Sequence, residues 1–173
     1  MNDITYLITL RLVHIVCGVF WAGAAMYLAL FVMPAVNATG PEGGRFMQQL
    51  ARTNKLPMVM TVASSLSVIA GLLLFWKISG GFQSAWMSSK HGIILSIGGA
   101  LAIIAWLEGF FITRPNALKL NKLGQLIAKS AGPPDARQLN QISQYRQKIF
   151  SANNHSAVLL VASVITMSLV RYL

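Results

Sequence analysis

Four long apolar stretches run through the chain, and they restrict its fold more than any other feature. A helix that crosses a lipid bilayer needs about 20 mostly apolar residues. The first three stretches are long enough as they stand, and the last one is long enough if Arg171 and Tyr172 extend to the membrane interface. The sequence predicts an all-α integral membrane four-helix bundle in one membrane domain, residues 1–173, with spans at about 6–36, 57–77, 90–113 and 154–172.

Composition also indicates a membrane protein. Hydrophobic residues make up 55% of the chain and charged residues 10%, whereas soluble domains carry roughly a quarter charged residues. The first stretch is too long for a cleaved signal peptide, whose apolar region has roughly 7 to 15 residues, so we expect it to remain as a span. The single cysteine, Cys17, cannot form an internal disulfide, and the chain has no C-x-x-C pair to indicate zinc or redox exchange.

Basic residues are concentrated in two of the loops. The loops after the first and third stretches hold 10 of the 14 Lys and Arg residues, counted along the sequence. Because Lys and Arg in short loops stay on the cytoplasmic side, both termini are predicted to lie on the non-cytoplasmic side. The net charge of +10 is then mainly a topology signal, and its spread beside lipid does not indicate a nucleic-acid partner.

The predicted cytoplasmic loop, residues 114–150, has a helical pattern of its own. Lysines are interleaved in its first half with five apolar residues, which are Leu118, Leu120, Leu123, Leu126 and Ile127. This pattern predicts a short basic amphipathic helix on the anionic inner leaflet, and a solvated basic linker is the alternative. Residues 131–135 are expected to break that helix, and Asp135 can cap a new helix that continues into the fourth span.

Two ionisable side chains lie inside the first apolar stretch. Arg11 and His14 share one helical stripe with Gly18, Trp21 and Ala25, because these residues recur at intervals of three and four. An ionisable side chain in lipid is unfavourable without a partner, so the pair indicates a functional site. Gly18 lies one turn beyond His14, where its small size would let a flat molecule lie against the helix.

The third span begins with a second cation and a second histidine, Lys90 and His91, at the same predicted outer end. If the two helix faces meet, His14 and His91 could bind the iron of b-type haem. Arg11 and Lys90 could then pair with the haem propionates. The sequence therefore predicts a haem b site with Arg11, His14, Gly18, Lys90 and His91 as binding residues. The alternative is that each histidine is an interfacial or helix-packing residue.

One acid lies near the inner end of the third span. Glu108 is inside the apolar stretch and needs either a partner or a proton. His155, at the inner end of the fourth span, is its predicted partner. The pair would act as a proton relay or as a structural hydrogen bond between helices.

Short motifs occur in or beside all four spans. They are His14-Ile15-Val16 with Trp21 and Gly23, Arg52 ahead of Pro57-Met58 and Thr61, residues 86–90, and Asn154. In these positions the chain resembles the bacterial membrane protoporphyrinogen oxidases and the related copper-resistance D-like proteins. The resemblance implies a multi-pass protein of the bacterial inner membrane, in which His14 and Lys90 match the positions associated with haem and activity.

The chain also departs from the oxidase pattern. The oxidases carry an arginine and a Tyr-His pair late in span one, where this chain has the apolar run 29–34. They carry another Tyr-His pair within span three, where only apolar residues surround Ala100, and a Glu after the span-four Asn, where this chain has His155. The resemblance thus implies a shared haem-capable scaffold more than a shared reaction.

Four functions remain open at this point. The first is a b-type haem protein that passes electrons, to quinone or within a larger membrane redox complex. The second is a protoporphyrinogen oxidase-like enzyme centred on His14 and Lys90. The third, copper handling through methionines, Cys17 and His14, ranks lower, because Met58 and Met60 lie on different helix faces. The fourth is a cofactor-free subunit that packs through small residues against larger membrane proteins, and a homo-oligomer is also possible.

Overall fold

The computed structural model describes residues 3–130 and 133–172, and for Pro41 and Arg171 it describes the backbone alone. Every regular element in these residues is helical. The α-helices are α1 (Asp3–Tyr27), α2 (Met33–Ala38), α3 (Pro41–Arg52), α4 (Leu56–Ile78), α5 (Ser84–Met87), α6 (Lys90–Glu108), α7 (Arg114–Lys129) and α8 (Ala136–Leu169). Two π-helical turns, π1 (Leu28–Val32) and π2 (Gly109–Thr113), join α1 to α2 and α6 to α7, and a 3₁₀ turn covers Val170–Tyr172.

Four of the continuous helical segments are long and apolar enough to cross a membrane. They are Asp3–Ala38, Leu56–Ile78, Lys90–Lys129 and Ala136–Leu169. The predicted all-α bundle with four membrane spans is therefore confirmed, and the chain is a multi-pass membrane protein. The 40 residues of the third segment extend over about 60 Å, twice the roughly 30 Å thickness of the hydrocarbon core. Helical structure thus continues well beyond the membrane at one end.

Neighbouring helices pack antiparallel in two close pairs, α1 with α4 and α6 with α8. Asp3 at the start of α1 forms an ion pair with Lys77 at the end of α4, at 3.6 Å. The indole nitrogen of Trp106 on α6 donates to Ser65 on α4 at 3.1 Å, which joins the two pairs. We call the end of the bundle that holds α3, α7 and the first half of α8 the basic end, and the opposite end the termini end.

Small side chains fill the centre of the bundle. Ala22, Ala25 and Ala105 are buried there beside Trp21 and Leu160. Lipid is as apolar as a leucine side chain, so helices in a membrane gain little from burying large apolar groups, and small residues instead allow close backbone approach. Large aliphatic side chains point outward around the spans, which is the arrangement expected for contact with the lipid bilayer.

The first half of the 114–150 segment is helical, as predicted for the amphipathic helix and not for the alternative linker. π2 connects this helix, α7, without a break to α6. Its apolar residues divide between two surroundings, with Leu120 facing the interior against α8 and Leu118 and Leu126 exposed. α7 buries one apolar face against α8. The two helices thus form a helical hairpin.

The second half of that segment follows the prediction. Asp135 accepts a hydrogen bond from the backbone of Gln138 at 2.7 Å, and the Gln138 side chain accepts one in return from the backbone of Asp135. This capping box starts α8, which then runs without interruption for 34 residues into the fourth span. Of the predicted break at 131–135, residues 131 and 132 lie outside the described residues.

Candidate functional site

His14 lies at the interface between α1 and α4, where it is held by a backbone carbonyl. Its Nδ1 lies 2.8 Å from the carbonyl oxygen of Ser67. A carbonyl can only accept, so Nδ1 is the nitrogen that donates this bond, and in the neutral tautomer with that proton Nε2 is the nitrogen with the lone pair. The Ser67 hydroxyl also donates to the carbonyl of His14 at 3.1 Å. The first of these bonds orients the imidazole ring, as the hydrogen-bond partners of metal-binding histidines do, and the second joins the backbone of α1 to α4.

Two glycines make this contact possible. A Cβ on Gly71 would lie 2.8 Å from Cε1 of His14, so the absence of a side chain at Gly71 lets the imidazole approach α4 closely. A Cβ on Gly18 would lie 3.0 Å from the hydroxyl of Ser67. The space beside Gly18, which the sequence assigned to a flat ligand, is therefore occupied by Ser67. Gly18 serves the close packing of α1 on α4.

Three further residues of the predicted haem site lie near the termini end, Arg11 on α1 and the adjacent Lys90 and His91 at the start of α6. Arg11, Lys90 and His91 are exposed, and none of them has a hydrogen bond or an ion pair within residues 3–130 and 133–172. α1 packs chiefly on α4 and α8, whereas α6 packs chiefly on α8. The structure therefore joins His14 to the second span and does not bring it into contact with His91.

Glu108 has a partner, but it is a different one from that expected. The hydroxyl of Ser156 donates to a carboxylate oxygen of Glu108 at 3.0 Å. His155 is exposed and makes no hydrogen bond or ion pair with any described residue. Successive residues on an α-helix point about 100° apart, so α8 cannot direct both side chains at α6. The structure thus corrects the Glu108–His155 pair to Glu108–Ser156, a structural hydrogen bond between helices.

Replacing Ser156 with alanine should lower the free energy of unfolding by about 1–2 kcal/mol, because the Glu108 carboxyl loses the donor that the buried Ser156 supplies. His155→Ala on the neighbouring exposed position should leave stability within about 0.5 kcal/mol. Denaturant titration of the purified protein in mixed micelles, followed by circular dichroism, measures both. Equal losses for the two variants would contradict the assignment.

A partly open cavity of about 610 Å³ lies between the helices towards the basic end. Its deeper wall is lined by Trp21, Ala25, Ser64, Ala105 and Ser156. Towards the basic end, α3, α7 and α8 form its walls, and both π-helical turns contribute residues to it. π-helical turns occur frequently at functional sites, because the extra residue per turn displaces the helix axis and its side chains. His14 is not among the lining residues.

Sequence reasoning missed this cavity, although a signal was present. Ile142, Arg146, Ile149, Asn153 and Ser156 recur at intervals of three and four on α8, and all of them line the cavity. Such a stripe of mixed polar and apolar residues is typical of a helix face that borders a water-accessible space within a membrane protein. The π-helical turns left no comparable trace in the sequence.

Metal binding by protein side chains alone finds little support. Within residues 3–130 and 133–172, no group of three or more His, Cys, Asp or Glu side chains is close enough to hold an ion. A haem iron needs only one or two protein ligands, because the porphyrin supplies the other four. A free Nε2 on His14 can supply one of these.

Comparisons of the chain with protein-family models, with curated proteins and with solved structures return no match.

Proposed function

We propose that this multi-pass protein binds b-type haem through His14 and takes part in electron transfer in the bacterial inner membrane. The observation that carries the proposal is the hydrogen bond from His14 Nδ1 to the carbonyl of Ser67, because it leaves Nε2 as the ring nitrogen that could bind iron. A histidine ligand of haem or metal commonly donates its other ring nitrogen to a carbonyl in this way. The proposal takes the basic end as cytoplasmic, in accordance with the positive-inside rule.

Residues of α1 and α6 would hold the haem. Arg11 lies three residues before His14 on the same helix face and is exposed, so its guanidinium is available to a propionate at the membrane surface. On α6, His91 would be the second iron ligand and Lys90 would pair with a propionate, and both side chains are exposed and unpartnered among the described residues. When bound, haem would supply a one-electron couple, and its partners would be quinone or a larger membrane redox subunit.

A cofactor-free role is the second candidate, and a specific contact favours it. His14 already bonds to Ser67 and lies close against Gly71, which is a sufficient helix-packing role for the side chain. In that case the histidine serves to fix α1 against α4, and the protein is a small packing subunit of a larger assembly.

Absorption spectroscopy of the purified protein separates the two candidates. Dithionite-reduced protein, expressed with haem supplied in excess, should show the bands of haem b, and His14→Ala should lose them. His155→Ala is the matched control, because that histidine is exposed near the opposite end of the bundle, and it should keep the bands. His91→Ala tests the second ligand. Wild-type protein without haem bands, or His14→Ala with unchanged bands, would overturn the haem proposal and favour the packing role.

A further inference from the structure

Arg146 is a half-buried cation without a protein anion. Its side chain lines the cavity, and its guanidinium lies directly against Gly44 on α3. It has no hydrogen bond and no ion pair with any residue in 3–130 or 133–172. A guanidinium that is withdrawn from water is unfavourable unless an anion pairs with it. The cavity wall therefore favours the binding of a negatively charged group.

Two more arginines line the cavity, and they differ in whether an acidic side chain pairs with them. Arg114 lies over the ring of Phe110, 5.4 Å from its centroid, which fixes its direction but leaves its five N–H donors unpaired by acids. Arg45 forms an exposed ion pair with Glu42 at 3.0 Å. No Asp or Glu lines the cavity in the described part of the chain. The electrostatic potential near Arg146 and Arg114 is therefore positive.

The deeper part of the cavity is mostly apolar and elongated. Its wall follows α8 from Arg146 to Ser156, over about 15 Å of helix, which is the depth of one leaflet of hydrocarbon. Trp21, Ala25 and Ala105 form its deep end. A volume of about 610 Å³ lies in the range of roughly 300–1,000 Å³ that holds one drug-sized molecule. The space therefore suits a single chain better than a two-chain phospholipid.

We propose that this cavity binds a single-chain amphiphile with an anionic head group, a carboxylate or a phosphate. Arg146 and Arg114 pair with the head group, since guanidinium groups bind both kinds of anion through two parallel N–H donors. The chain of the ligand extends along α8 towards Trp21. The site is distinct from His14, so the proposal does not depend on haem.

Binding of two probes tests the proposal in the full-length protein, reconstituted in phosphatidylcholine nanodiscs. Radiolabelled palmitate and hexadecyl phosphate, which have the same chain length, should each bind saturably at one site per protein, and the uncharged hexadecanol should bind at least ten-fold more weakly. The ratio of the two anionic affinities shows whether a carboxylate or a phosphate is the preferred head group. Equal affinity for palmitate, hexadecyl phosphate and hexadecanol would overturn the role of the arginines.

Arg146→Gln should weaken binding of the preferred probe about ten- to hundred-fold, because the ligand loses a charge-assisted hydrogen bond. Arg137→Gln, which removes an exposed cation of α8 outside the cavity lining, is the matched control and should bind like the wild type. Unchanged affinity in Arg146→Gln would contradict the proposal.

A second pair of variants tests the cavity itself. Gly109 lines the cavity and has open space where a Cβ would lie, so Gly109→Phe should fill the cavity without a clash and abolish binding. Gly99→Phe introduces the same side chain on α6, also into open space but away from the cavity lining, and should bind normally. Circular dichroism and gel filtration establish that both variants are folded. Wild-type affinity in a folded Gly109→Phe protein would show that the amphiphile binds elsewhere.

Discussion

Gly98→Leu should lower the free energy of unfolding by about 3 kcal/mol, because a side chain at this position has no room between α6 and α8. A Cβ there would lie 2.7 Å from the hydroxyl of Thr166 and 3.0 Å from Cγ of Met167. The backbone is also fixed, since the Ser163 hydroxyl donates to the Gly98 carbonyl at 2.8 Å. The leucine can be accommodated only if the two helices separate, which breaks that hydrogen bond.

Gly99→Leu is the control for this experiment. Gly99 is the next residue along α6, and a Cβ on it would meet nothing within 4 Å, so the same change should alter stability by less than about 0.5 kcal/mol. Unfolding of both variants in mixed micelles, followed by circular dichroism, gives the two free energies. Similar values for the two variants would contradict the close contact between α6 and α8 at Gly98.

Gly71→Leu should displace the His14 ring and break its hydrogen bond to Ser67. A Cβ at this position would lie 2.8 Å from Cε1 and 2.9 Å from Nδ1 of His14, and the ring is held there by its hydrogen bond to Ser67 on the same helix as Gly71. We expect a loss of about 2 kcal/mol in the free energy of unfolding from overpacking and from the lost hydrogen bond. Because the bond also sets the tautomer, the variant should lose any haem that His14 binds.

The matched control is Gly23→Leu on α1, where a Cβ would also have open space around it. It should keep both its stability and its spectrum. Two measurements on each purified variant are sufficient, the unfolding free energy and the reduced absorption spectrum. Normal stability in Gly71→Leu would contradict the packing of His14 against α4, and loss of stability with retained haem bands would show that the iron is bound by another residue.

The sequence was sufficient to predict the spans, but not which face of each span is internal. Hydropathy identifies an apolar segment, yet in a membrane both the lipid-facing and the protein-facing sides are apolar, so the periodic contrast that orients a helix in a soluble protein is weak. Gly98 and Gly99 illustrate this. They are identical and adjacent, but one is in close contact with α8 and the other has open space beside it. For the same reason the sequence does not show that His14 faces the second span.

Polar residues were more informative where their partners are local. The cap at Asp135 was predictable because its hydrogen bonds involve residues three positions away, and the structure contains them. Glu108 required a partner from another helix, and the choice between His155 and its neighbour Ser156 depended on the rotation of α8, which no local pattern gives. For the same reason the sequence does not distinguish Arg146 from the other basic loop residues, although it lines the cavity.

The unbroken course of α8 has a mechanical consequence. A continuous helix has no joint, so we expect the part of α8 beyond the membrane and the part within it to move together. The neighbouring segment from α6 to α7 is not a regular helix, because the wide turn of π2 interrupts its hydrogen bonding. We therefore expect a displacement of the first half of α8 to reach the serines in the membrane, and bending of the neighbouring segment to be concentrated at π2, beside the cavity.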